Sequence, residues 1–280
     1  MPAFETPEPI SASVEFSVGS LRVVAEDRAD TVVEVRPTDG SSDQDVKTAG
    51  RVRVEFANGK LLVKGPKERS LFSRTSPSVD VEILLPAGSE LRAVTAMGGL
   101  AAHGRLGDCA FRTGAGDIQV EQAGELDLNT AYGEVSVGRA AGAAEIATSS
   151  GEVRVGEAAG TARIKNSNGP TKVGEVAGDL TVRASNGSVT VDHAGADVTV
   201  KTANGPITVG ELVRGSTVLE SAAGRIAIGV REGTAAWLDV RTKAGTVRQS
   251  LEESGTPSES TDTLKVRART MLGDIVIHRA

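Results

Sequence analysis

Short runs of alternating apolar and polar residues fill this chain, and through two thirds of it the runs repeat on one beat. The beat is marked by Gly98, Gly116, Gly133, Gly151, Gly169, Gly187, Gly205, Gly224 and Gly245, which lie 18, 17, 18, 18, 18, 18, 19 and 21 residues apart. Five residues before each glycine stand Phe111, Leu128, Ile146, Ile164, Val182, Val200, Leu219 and Val240; two residues after it come Ile118, Val135, Val153, Thr171, Val189, Ile207, Ile226 and Val247. A period of two within a run belongs to a strand with one buried face, and a fixed period between runs belongs to stacked repeats. One unit is therefore strand, tight turn, strand. Identical side-chain columns at one period require homologous strands to pair in parallel, in register, about 4.8 Å apart. The predicted fold is all-β: a single-chain parallel β-solenoid of about ten coils of about 18 residues, behind an irregular β N-terminal cap. Its expected hand is right, as for parallel crossovers in general.

The turn residues agree with this reading. Asn168-Gly169, Asn186-Gly187 and Asn204-Gly205 pair two residue types that tolerate positive φ. Three residues before the glycine, inward by parity, stand Thr113, Thr130, Thr148, Asn166, Thr202, Ser221 and Thr242, placed to satisfy backbone groups at the bend. Residues 1–90 carry a degraded version of the pattern and read as irregular β coils and cap, continuous with regular repeats over 91–280. Insertions at Asp39 to Lys47 and Gly65 to Ser78 are expected to cover the open edge of the stack. A polar loop at 252–263 reads as the most mobile segment. The final turn, Asp274 to Ile277, reads as the exposed end coil.

Composition narrows the interior and excludes some partners. Aromatics are only 2% of the chain, so a thin core of Val, Ala, Leu and Ile is expected rather than a wide globular one. The net charge of -6, with Lys and Arg spread along the chain, is not a nucleic-acid footprint. Nor does any stretch approach the roughly 20 apolar residues that span a bilayer. The opening residues, Met1 to Pro9, lack the basic and apolar segments of an export signal, so the expectation is a cytoplasmic protein without membrane insertion.

The phrases Thr148-Ser149-Ser150-Gly151-Glu152-Val153-Arg154-Val155 and Ala184-Ser185-Asn186-Gly187-Ser188-Val189-Thr190-Val191, behind the lead-in Leu85-Pro86-Ala87-Gly88-Ser89-Glu90-Leu91, closely resemble a bacterial family. It is the β-strand-repeat "putative adhesin", or toast-rack, domain of unknown function. The resemblance extends from about Ser13 to Ile277 and implies a β-helix or solenoid. It implies no catalytic residues.

Candidate chemistry is sparse. His103, His193 and His278 lie in unrelated coils with no ligand spacing around them, so no metal site and no cofactor are expected. Cys109 sits in an inward column and reads as a small buried filler rather than a nucleophile. Outward carboxylates Asp117, Glu134 and Glu152 formally mimic the acid pair of a glycosidase, but read more simply as a solvated face. Trp237 is expected to face outward and Tyr132 to sit at a turn. The most suggestive feature is an outward column of cations: Lys165, Arg183 and Lys201 fall in successive coils, with Arg163 two residues from Lys165 on the same face. Like charges opposite one another are unfavourable, so this ladder offers a docking surface for an anionic polymer or an acidic protein partner, although flexible Lys and Arg fanning into solvent beside Asp and Glu is the simpler reading. The functional expectation is a non-enzymatic scaffold or binding surface. The alternative is a structural protein that self-assembles into homo-oligomers through its terminal coils, and the third reading is a polysaccharide-active β-helix enzyme.

Overall fold

The computed structural model describes residues 1–66, 77–251 and 262–280. Most of the Gly65 to Ser78 insertion and of the 252–263 loop lies outside the described residues. By internal contacts the chain divides into two units, Met1–Ala141 and Gly142–Ala280. Each holds two sheets whose inner faces share an apolar interior.

The first unit begins with β1 (Ala3–Glu5), β2 (Ser11–Val18), β3 (Leu21–Glu26), β4 (Asp30–Pro37), α1 (Asp43–Ala49), β5 (Arg53–Ala57) and β6 (Lys60–Lys64). It continues with β7 (Val79–Pro86), β8 (Glu90–Met97), β9 (Leu100–Arg105), β10 (Cys109–Ala115), β11 (Ile118–Ala123), β12 (Leu126–Tyr132) and β13 (Val135–Ala140). One sheet runs β1-β4-β7-β3-β9-β11-β13 and the other β5-β6-β2-β8-β10-β12. From β8 onward the rungs follow chain order in parallel register: Phe111 lies opposite Ala93 on one side and Leu128 on the other. Before β8 the order breaks, because the β2–β3 rung is tucked between β6–β7 and β8–β9.

Direction changes at the outer strands of this unit. β4 runs antiparallel to β7, β1 antiparallel to β4, and β5 antiparallel to β6. The β5–β6 hairpin turns on Asn58 and Gly59, whose φ values of 52° and 71° suit a primed two-residue turn. The Asp39 to Lys47 insertion becomes α1, which packs on β4 and β7. Ser42 caps it by accepting the Asp45 N–H at 3.3 Å. The buried Asp45 carboxylate in turn accepts N–H bonds from Asp39 and Ser78, each at 3.2 Å, which ties the start of the insertion to the residue leading into β7. Phe4 and Phe56 close the end with rings 5.2 Å apart.

The second unit begins with β14 (Ala144–Ser150), β15 (Val153–Ala158), β16 (Ala162–Asn168), β17 (Thr171–Val176), β18 (Leu180–Asn186), β19 (Val189–Ala194) and β20 (Val198–Asn204). It ends with β21 (Ile207–Leu212), β22 (Gly215–Ala223), β23 (Ile226–Val230), β24 (Ala235–Ala244), β25 (Val247–Gln249), β26 (Thr263–Leu272) and β27 (Ile275–Arg279). Among the described residues its neighbouring strands pair in parallel, in the orders β14-β16-β18-β20-β22-β26-β24 and β15-β17-β19-β21-β23-β27-β25. The inner columns are those expected: Ile146, Ile164, Val182, Val200 and Leu219 are stacked and buried.

The last rung does not follow chain order. β26–β27 lies between β22–β23 and β24–β25, so Asp274 to Ile277 is an inner rung and the exposed end is β24–β25. The sequence expectation for the end coil is corrected accordingly. Residues 235–249 and 263–279 both carry the repeat pattern, and nothing in that pattern ranks one above the other in the stack.

Two columns hold the turns. Gly187 has φ +140°, and a Cβ there would meet the Gly169 carbonyl oxygen at 2.1 Å; neighbouring turn glycines pack the same way. Conformation and space therefore both demand glycine at this column. Inside the bend, most of the polar residues expected to satisfy backbone do so, the exception being Thr202, whose buried hydroxyl has no hydrogen-bond partner among the described residues. Thr130 Oγ1 donates to the Gly116 carbonyl at 3.2 Å, Ser221 Oγ to that of Gly205 at 3.2 Å, and Thr242 Oγ1 to that of Gly273 at 2.9 Å. The next rung after Asn166 carries Ala184, which has no donor, and Asn166 compensates: its Nδ2 reaches the carbonyls of both Gly151 and Gly169 at 3.1 Å. The outer Asn column works differently from the sequence expectation. Among the described non-glycine residues only Asn58 has positive φ. Asn168, Asn186 and Asn204 are extended, and their amides form a ladder, with Nδ2 to Oδ1 distances of 2.9 Å between successive rungs.

Candidate binding surface

Strand alternation puts Lys165, Arg183 and Lys201 on the outer face of β16, β18 and β20, between inward-facing neighbours that are buried or, at Ala184, half-buried. The register sets them directly opposite one another, Lys165 against Arg183 and Arg183 against Lys201. Arg163, also exposed, lies opposite Glu145 and Thr181. Neighbouring strands are about 4.8 Å apart, where two like charges repel by about 1 kcal/mol in water. Lys201 is relieved by Glu220 on the next rung, Nζ to Oε2 2.8 Å. Among the described residues, Arg163, Lys165 and Arg183 meet no carboxylate within ion-pair distance.

The same outward column continues through Glu220, Arg269 and Arg241, in that spatial order rather than chain order. Because β26 intervenes, Arg269 stands between Glu220 and Arg241, and Arg267 between Val218 and Asp239. Asp239 gathers all three guanidinium groups: Arg241 at 3.3 Å, Arg267 at 3.4 Å and Arg269 at 3.6 Å. Trp237 faces outward as expected, 74% exposed, beside a groove of about 300 Å³ lined by Ser216, Val218, Asp239, Lys265 and Arg267. Its outward parity was readable from the sequence; its neighbour Lys265 was not, since only the tucked rung brings position 265 beside 237. Tyr132 is exposed at its turn.

The remaining candidates resolve into structural roles or separate positions. The Asp117 carboxylate accepts the Glu134 N–H at 2.8 Å, a turn-capping bond between rungs. Glu152 lies in the other unit, paired with Arg154 and with Lys172 at 3.2 Å. His103 faces Glu121 at 4.0 Å, His193 Nδ1 meets Glu211 at 3.0 Å, and His278 Nδ1 meets the Arg279 carbonyl at 2.7 Å. Among the described residues no group of three or more His, Cys, Asp or Glu could hold a metal ion. Cys109 is buried, and burial pushes its thiol up to about 12, far from a reactive thiolate. No helix among the described residues is long and apolar enough to cross a membrane.

Comparison with known proteins places this geometry. Among curated proteins, none matches the chain. Solved structures that match the chain include a "putative adhesin" from Bacteroides fragilis, 11% identical, with 99% of this chain and 95% of that one covered and a TM-score of 0.31. A "putative cell adhesion protein" from Clostridium sporogenes is 12% identical over 100% and 98% of the two chains, TM-score 0.24. A "putative lipid binding protein" from Parabacteroides distasonis is 12% identical over 99% and 96%, TM-score 0.33. The family profile described as Toastrack DUF4097 matches residues 11–278, which takes in the regular rungs and the N-terminal strands from β2 onward, and the chain belongs to that family.

Proposed function

We propose that the chain is a non-enzymatic β-solenoid scaffold whose outward ladder of Arg163, Lys165, Arg183 and Lys201 docks an anionic polymer. The observation that carries this reading is the in-register stacking of Lys165, Arg183 and Lys201 without matching carboxylates at the first two. A row of anionic groups laid along the stack offsets the mutual repulsion, and weak contacts at successive rungs sum. An acidic protein surface with carboxylates at the same spacing would use the same chemistry. The reading keeps the chain in the bacterial cytoplasm, where an unpaired buried thiol such as Cys109 is at home.

The test is salt-dependent binding of polyglutamate and of a sulfated polysaccharide to wild type and to the Lys165→Ala, Arg183→Ala, Lys201→Ala triple variant. The variant should bind about tenfold or more weakly and with a shallower salt dependence. Equal binding by both would remove the ladder from the account. A hydrolase and lyase screen should show no turnover; turnover abolished by one acidic substitution would replace this reading with a polysaccharide-active enzyme.

A further inference from the structure

The outer edge of β24 is unpaired among the described residues, since β24 ends its sheet. The Ala235 N–H turns toward β26, bonding the Asp262 carbonyl at 2.9 Å. Backbone groups alternate sides along a strand, so Leu238, Val240 and Thr242 direct both their N–H and C=O groups to the free edge. The inward side chains of this rung are incompletely covered: Leu238 and Val240 are half-buried, whereas their counterparts Val198 and Val200 are fully buried.

The residues facing out along this edge form complementary pairs about Val240, Asp239 with Arg241 and Trp237 with Lys243. We propose that β24 pairs antiparallel with β24 of a second copy about a two-fold axis at Val240. In that register Asp239 lies opposite Arg241 of the other copy and Trp237 opposite its Lys243, each twice by symmetry. The ion pair falls on a non-hydrogen-bonded site, where facing side chains are closest, and the lysine can lie over the indole face. Leu238 then faces Thr242, and these with Val240 form the hydrogen-bonded pairs that use the free backbone groups. Shifting the centre to Asp239 sets two carboxylates opposite each other; shifting it to Arg241 sets two guanidinium groups opposite each other. A half-step register sets the free groups of one strand against groups already bonded to β26 in the other. The sequence of one strand therefore selects one symmetric register, and a closed dimer rather than a growing fibre.

This inference stands apart from the anion-binding ladder, none of whose four cations lies in β24. Sedimentation equilibrium tests it. Wild type should be a dimer. Asp239→Arg alone faces cations with cations and Arg241→Asp alone faces anions with anions, so each should sediment as a monomer where wild type is dimeric. An equimolar mixture of the two should recover the dimer, because only the heterodimer restores both pairs. A second variant bypasses any fraying caused by these charge changes. Val240→Cys places a half-buried thiol at the open edge, the other thiol, Cys109, being buried, and facing Cα atoms about 5.5 Å apart fall within disulfide reach. It should cross-link to a covalent dimer on mild oxidation, while Val247→Cys should not. A monomeric wild type, a mass that keeps rising with concentration, or Val240→Cys that fails to cross-link would each overturn the proposal.

Discussion

The two outer rungs are finished in opposite ways. In the first unit the parallel stack stops where β4 reverses against β7 and β1 against β4, with α1 and the Phe4–Phe56 pair laid over the end. Val33 on β4 is consequently 0% exposed. In the second unit the stack runs out in parallel strands, β24 and β25, with no reversal and no aromatic plug among the described residues, and Val247 on β25 is 44% exposed. Both units nevertheless share one device. The rung nearest each chain terminus, β2–β3 or β26–β27, is tucked one place inward and hydrogen-bonded on both sides. Terminal segments fray unless tied down, and tucking ties them. The lesson is that tethering a terminus and closing an edge are separate tasks, and only the first unit performs both.

Substitutions break or sharpen this contrast. The largest effect belongs to the regular rungs: Gly187→Val forces a side chain into a carbonyl 2.1 Å away at φ +140°, and chemical denaturation should show a loss of about 4 kcal/mol or more. Val33→Lys places an unpaired charge in the closed end and should cost about 3 kcal/mol or more. Asn166→Ala strips the donor from the carbonyls of Gly151 and Gly169 and should cost about 2 kcal/mol. Val247→Lys, the same chemical change as at Val33 but on the open end, should move the denaturation midpoint by no more than about 0.5 kcal/mol. Equal costs at Val33 and Val247 would erase the distinction between the ends.

The smallest effect is a pH response at the last turn. The Asp274 carboxylate is held below its usual range by the Thr246 N–H at 2.8 Å and hydroxyl at 2.9 Å. A depressed folded pKa contributes stability above the unfolded value and loses it as pH falls through the folded one. The protection of the Thr246 amide against exchange, relative to its intrinsic rate, should therefore fall below about pH 4, and Asp274→Asn should remove that dependence.

Periodicity made the regular rungs legible because every column repeats: Ile146 to Leu219, the turn glycines, and the inward Thr, Asn and Ser residues fall where parity puts them. The cation ladder was legible for the same reason, as stacking turns an interval of 18 residues into direct adjacency. The order of the last two rungs was not, because 235–249 and 263–279 carry equivalent patterns and the choice between them rests on long-range pairing. The groove beside Trp237 inherited that blindness, since Lys265 and Arg267 reach it only through the tucked strand. The Asn–Gly dipeptides misled over mechanism: Asn168, Asn186 and Asn204 serve as an amide ladder, while their glycines alone bear the positive φ. At Asn58-Gly59, in a true hairpin, both residues bear it.

The tucked rung and the parallel stack are tested together by one methyl-resolved nuclear Overhauser spectrum of selectively labelled protein. Rungs lie about 4.8 Å apart, so adjacent methyl groups give strong cross-peaks and those two rungs apart give weak ones or none. The predicted pattern links Ile164 to Val182, Val182 to Val200, Leu219 to Ala268 and Ala268 to Val240, with no strong peak between Leu219 and Val240. A strong direct Leu219–Val240 peak with none from Ala268 to Val240 would contradict it.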